Sequence, residues 1–159
     1  MVKRTMSAME FKTEVNEFLR EHKDGSLATT LDNIPRSSPV QYFVGNDLDL
    51  YVLSAGGEKF ASIEQNPNVC LLVNSDYLNY RQIKGVQIFG TATTSLMDDK
   101  LFEEASTYYP DKYIMDHEKN RLKVIKIKPQ EMVYLDSLID GDRTKQVFKN
   151  NNVYTKDNN

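Results

Sequence analysis

One cysteine, two histidines, no excess of positive charge and no long apolar run are the first things this chain lacks. Cys70 alone can form neither an internal disulfide nor a thiolate metal cluster. Within the apolar run Val69 to Val73 it reads as a small hydrophobe, and a reducing, cytoplasmic setting is expected. His22, at a helix end, and His117, in a charged connector, give poor support to a metal centre. Lys and Arg total 20 against 23 Asp and Glu, a net charge of −3. A surface that neutralises several nucleic-acid phosphates is therefore not expected. No run approaches the ~20 apolar residues of a membrane span. The opening MVKRTMSAMEFK carries early positive charge but no apolar stretch behind it, so neither a membrane span nor a cleaved leader is expected. Nucleophile elbow, zinc-protease helix and paired cysteine and histidine are all missing, which leaves hydrolysis by an activated side chain without backing. Asp98 and Asp99 are adjacent carboxylates, but a helix start explains them. These absences count for little if a bound cofactor carries the chemistry.

The most informative stretch runs from Leu50 to Val73. LDLYVLS alternates apolar and polar residues as a half-buried strand does. Ala55-Gly56-Gly57 breaks it, Glu58 to Gln65 reads as a short helix closed by Asn66-Pro67, and Val69 to Val73 is a second strand. A strand, a glycine bend and a helix start in succession make a place for an anion. The first N–H groups of a helix lack internal partners, glycines let a phosphate approach, and Lys59 adds an ammonium group. The spacing is neither that of a nucleotide-triphosphate loop nor of a dinucleotide fingerprint, and it leaves open an ordinary turn with a solvated lysine.

With 159 residues the chain suits one domain, expected over residues 1–139, able to bury roughly two thirds of its unfolded surface. Ser7 and Glu10 form a capping box ahead of an amphipathic helix bearing Met9, Phe11, Val15, Phe18 and Leu19. From Ser26 the period changes to two. SLATTL, RSSPVQYFV and LDLYVLS are joined by turns at residues 32–35 and 45–47, an antiparallel meander. Pro39 cannot donate to a ladder, so the second strand is at an edge, bulged or open to a ligand there. Residues 85–94 are a further strand in which Gly90 suggests a bulge that curls the sheet into a barrel. Ser95 and Asp98 are expected to cap a helix running through Tyr109, and residues 122–128 and 132–135 to form two strands around Pro129. Residues 140–159 read as a polar C-terminal tail, partly disordered. The count is α+β, mainly β, around a small barrel of six or seven antiparallel strands with flanking helices.

RSSPVQYF, LYVLSAGGEKFASIEQNPNVCLLV and VQIFGTATT, in that order and spacing, resemble the pyridoxamine 5′-phosphate oxidase-related family of FMN-binding split barrels, over roughly residues 8–135. The resemblance implies a six-stranded antiparallel split barrel, homodimeric, with FMN in clefts between subunits. It places Ser54, Gly57 and Lys59 at the phosphate, Arg36, Ser37, Ser38, Pro39 and Val40 along the polar edge of the isoalloxazine, and Gln87 at the phosphate or ribityl chain. Two departures argue against oxidation of pyridoxamine phosphate. The substrate-binding segment bearing arginine and tryptophan is replaced by an Asn-rich tail without Trp, and Glu58 stands where those oxidases tend to carry Arg.

The expected activity is thus a flavin-dependent oxidoreductase that takes electrons from a reduced nicotinamide cofactor or substrate and passes them to a small acceptor. No catalytic side chain can be named. The alternative is a non-enzymatic dimer that holds flavin, or haem with His117 as axial ligand, for storage, sensing or stress buffering. A ligand-free interaction dimer is a third reading.

Overall fold

The computed structural model describes residues 3–157. Its first helix, α1 (Ala8–Glu21), begins at the anticipated capping box: the Ser7 hydroxyl accepts from the Glu10 N–H and the Glu10 carboxylate accepts from the Ser7 N–H. Phe11, Val15, Phe18 and Leu19 are buried along one stripe, each contributing about 1.5–3 kcal/mol by leaving water. Three strands follow, β1 (Asp24–Leu31), β2 (Ile34–Val44) and β3 (Leu50–Ser54), then α2 (Glu58–Gln65), β4 (Asn68–Asn74) and β5 (Lys84–Thr94). Two short helices, α3 (Leu101–Ser106) and α4 (Lys112–His117), precede β6 (Lys123–Asp136), β7 (Lys145–Lys149) and β8 (Asn152–Lys156).

All the pairings are antiparallel and run in the order β3-β2-β1-β4-β5-β6, with β6 returning to pair with β3. Six strands thus close into a ring, and β7 and β8 extend it beyond β6. The β5–β6 register shifts between Phe89 and Gly90. A Cβ at Gly90 would collide with the Lys128 carbonyl, so the close approach needs glycine. Leu27, Val52, Leu71, Ile88, Ile125 and Ile127 fill the ring, and Phe60 and Ile63 of α2 join the same core. A second cluster of Phe43, Tyr51, Leu101, Ala105, Met115 and Val124 lies under α3 and α4.

The ring is split along β2. Residues 34–41 of β2 pair with β1, but β3 pairs only with residues 41–44, so residues 34–40 have no strand on their other side among the described residues. Pro39 lies on that open stretch, the position its missing N–H called for.

Three expectations are corrected. The strands expected on either side of Pro129 are one strand, β6, because Pro129 falls at the bulge opposite Gly90 and between the segments that pair with β3 and β7. The helix after β5 is only Leu101–Ser106 and has no side-chain cap, because the Ser95 hydroxyl accepts from the Val124 N–H at 3.0 Å instead. The polar segment expected to be partly disordered holds the β7–β8 hairpin. Asn150 and Asn151 have φ of 52° and 62°, the left-handed pair of a tight hairpin turn. Val147 is buried and Phe148 stacks on Phe11 with ring centroids 5.1 Å apart. Mean composition concealed that alternation, because the Asn residues that make the tail polar are those that make the turn.

Candidate functional site

Ser54 ends β3 where Gly56 and Gly57 turn the chain with φ of 133° and 112° into α2. The Gly56 N–H donates to the Ser54 hydroxyl at 3.2 Å, which ties the bend to the strand. Unlike α1, this helix has no side-chain cap, so its first N–H groups are left for water or a ligand. Lys59 Nζ donates to the Gly56 carbonyl and Lys123 Nζ to the Ala55 carbonyl, both at 3.1 Å. A Cβ added at Gly56 would stand 3.5 Å from Lys123 Nζ, and one at Gly57 3.8 Å from Lys59 Nζ. Two ammonium groups therefore flank the bend, neither paired with a carboxylate among the described residues. The nearest acid, Glu58, is engaged by Arg36, with Nη1 and Oε2 2.9 Å apart. Its charge is thereby partnered rather than set against an incoming anion.

In the sequence Lys123 reads, with Lys126 and Lys128, as a solvated strand charge. Only the pairing of Ser54 with Lys123 at the end of the β3–β6 ladder brings it to the bend.

Beside the bend, a cleft of about 460 Å³ is lined by Pro39, Val40, Leu53, Ser54, Ala55 and Tyr109, with Asp24 its only carboxylate. Of the anticipated residues, Pro39, Val40 and Ser54 share this cleft, Arg36 reaches the bend through Glu58, and Gly57 and Lys59 form the bend itself. Ser37 and Ser38 belong to the same unpaired edge of β2 without lining the cleft. Gln87 is not brought to them. The ladder runs Pro39, Ser26, Leu72, Gln87 across four strands, about 14 Å at the usual strand spacing. Gln87 lines a separate cavity with Tyr77, Arg143 and Lys145.

The floor under α3 is held by charge. Tyr51 donates to Glu104 Oε2 at 2.6 Å and Lys126 Nζ lies 2.7 Å from the same oxygen. The Lys126 ammonium and the Tyr51 hydroxyl hold the Glu104 carboxyl below its ordinary range. Burial, with Glu104 next in importance, pushes the Tyr51 phenol well above its usual value. No group of three or more His, Cys, Asp or Glu could hold a metal among the described residues. His117 is engaged with Tyr113, its Nδ1 2.9 Å from the Tyr113 carbonyl and the rings 3.9 Å apart. No helix among the described residues is long and apolar enough to cross a membrane.

A ring of six antiparallel strands, breached along one edge beside an uncapped helix start, is a split barrel. Residues 11–136 match the family model of pyridoxamine 5′-phosphate oxidase, and the chain belongs to that family. Solved structures of similar fold include a conserved hypothetical protein of Mycobacterium tuberculosis, 21% identical with a TM-score of 0.64, covering 86% of this chain and 89% of that one. General stress protein 26 of Bacillus anthracis is 23% identical with a TM-score of 0.60, over 79% and 94% of the two chains. An FAD-binding protein of Mesorhizobium loti is 24% identical with a TM-score of 0.59, over 81% and 92%. At such identities the likeness is one of fold. No curated protein matches the chain.

Proposed function

We infer that this protein binds FMN and acts as a flavin-dependent oxidoreductase on a small molecule. The observation that carries the reading is the uncapped start of α2, flanked by Lys59 and Lys123 and opening beside the unpaired edge of β2. The residues present fit the cofactor. Glycine at 56 and 57 leaves out two Cβ atoms that would stand beside those ammonium groups, and a phosphate needs that room. In this reading Ser54, Gly57 and Lys59 hold the phosphate, and the backbone of Arg36 to Val40 offers hydrogen-bonding groups to the polar edge of the ring. When bound, the flavin supplies the electron transfer, so the protein's part is to bind, orient and exclude water.

The protein works as a homodimer in this reading. The ladder sets Gln87 three strands away from Pro39, and the outward face that carries it also exposes Leu72 at 37% and Phe89 at 36%. A second copy seated on that face brings its own Gln87 toward the cleft. A cytoplasmic location accords with the free thiol of Cys70.

Titration of FMN and riboflavin into apo-protein tests the reading. Lys59→Ala is expected to weaken FMN by about 1–3 kcal/mol, the worth of a charge-assisted contact, and to leave riboflavin unchanged. Equal losses for both ligands remove Lys59 from the phosphate. Bleaching of the bound flavin by a reduced nicotinamide supports the oxidoreductase, whereas a yellow protein that no donor reduces is a flavin holder.

A further inference from the structure

Residues 95–122 leave the ring between β5 and β6 and hold α3 and α4. Both ends are pinned at one point: the Ser95 N–H donates to the Val124 carbonyl at 2.8 Å, and the Ser95 hydroxyl accepts from the Val124 N–H at 3.0 Å. Thr94 pairs with Ile125 just below that neck, so the excursion can move without parting any strand pair of the ring. Its two helices have six residues each. A helix shorter than ~12–15 residues is marginal by itself, so they depend on what they pack against.

That packing is separate from the ring core. Phe43, Tyr51 and Val124 alternate along β2, β3 and β6 with Tyr42, Val52 and Ile125. Successive strand residues face opposite ways, so the first three look outward while the others fill the ring. Leu101, Ala105 and Met115 cover the outward patch. Among the described residues, the polar side-chain contacts from 96–122 to the ring are those of Glu104, with the Tyr51 hydroxyl at 2.6 Å and Lys126 Nζ at 2.7 Å. Tyr109, Ile114 and Leu122 of the same excursion line the cleft beside the bend.

We propose that residues 95–122 act as a strap that opens and closes as one unit over an intact ring, latched by Glu104, and that each opening draws one wall off the cleft beside the bend. Opening uncovers the outward patch alone, so it costs less than unfolding the whole chain. That the moving wall governs a flavin's access rests on the flavin reading, whereas the opening itself does not.

Residue-resolved hydrogen exchange of the full chain without ligand tests the opening. The amides of α3 and α4 are expected to share one opening and to exchange at least about tenfold faster than those of β4 and β5. Ile88→Val, in the ring core, should speed the β4 and β5 amides about two- to tenfold and leave α3 and α4 unchanged, because Ile88 is packed alike with the strap open or closed. Met115→Ala, in α4, should speed α3 together with α4 by at least about thirtyfold. If that variant holds the strap open, both helices lose protection while the ring keeps its own, which supports the proposal equally. Glu104→Gln should speed both helices about two- to fivefold; no change there overturns the latch. Strap amides that follow the ring on Ile88→Val overturn the proposal, since strap and ring then unfold together. Met115→Ala acting on α4 alone overturns it as well, because the helices then fray separately. FMN keeps the two readings apart. Its binding should slow α3 and α4; FMN that binds and slows only the ring overturns the strap's hold on the cleft, and a strap that opens in a protein binding no FMN drops the flavin reading alone.

Discussion

At the scale of single residues, the bend depends on backbone conformations that only glycine adopts cheaply. Gly57 has φ 112° and ψ −177°, a region where a side chain costs about 1–3 kcal/mol. Gly57→Ala is therefore expected to destabilise the protein by that amount, read as a lower melting temperature, and, on the proposed reading that the displaced N–H groups hold the phosphate, to weaken FMN more than riboflavin. Next to it, Glu58 shows how far one residue type can be read. As an acid at a proposed phosphate site it looks like a repelling charge, but its partner Arg36 stands on β2, across the bend. Both side chains are largely exposed, so their pairing is worth about 1 kcal/mol or less.

At the scale of elements, α3 and the β7–β8 hairpin are held by features that can be tested one at a time. α3 has no cap, and Glu104 ties it to Tyr51 of β3 and Lys126 of β6. Because the folded state lowers the Glu104 pKa from its ordinary 4.5, this carboxylate stabilises the fold above that pH, and its contribution is lost as pH falls through the folded value. Glu104→Gln should thus lower stability near neutrality by about 1 kcal/mol or less, and the difference from the unaltered protein should shrink in acid; thermal melts across pH check it. The hairpin turn places Asn151 at φ 62°, which Asn tolerates and glycine adopts freely. Asn151→Gly should leave the hairpin as stable or up to about 0.5 kcal/mol more stable, measured by chemical denaturation, whereas a β-branched residue there should destabilise it.

At the scale of the whole molecule, closing a sheet into a ring removes its exposed edges, yet this ring leaves residues 34–40 of β2 unpaired. Pro35 and Pro39 on that stretch guard it against pairing with a foreign strand, since neither has an N–H to offer. The split thus leaves backbone groups open, as the proposed flavin site needs, while the prolines limit pairing with another strand. The proposed dimer turns on the opposite part of the barrel surface. Leu72→Lys puts a charge on an outward side chain that is 37% exposed, so the monomer fold should survive. Light scattering is expected to show a monomer with weakened FMN binding; a dimer with undiminished affinity would move the interface elsewhere.

Local physics made much of this protein legible from its residues alone. The capping box at Ser7, the change from a period of 3.6 to 2 at Ser26, the bend at Gly56-Gly57, the limits of α2 and the irregularity at Gly90 all depend on interactions within a few positions. They could be read before any fold was known. What tertiary structure decided were the meetings and separations of distant segments: Lys123 beside the Ala55 carbonyl, Arg36 on Glu58, Gln87 three strands from Pro39, Phe148 stacked on Phe11. Strand register depends on how the whole core fills, and a slip of one residue would turn every side chain of a strand to its other face. No stretch of a few residues contains that information.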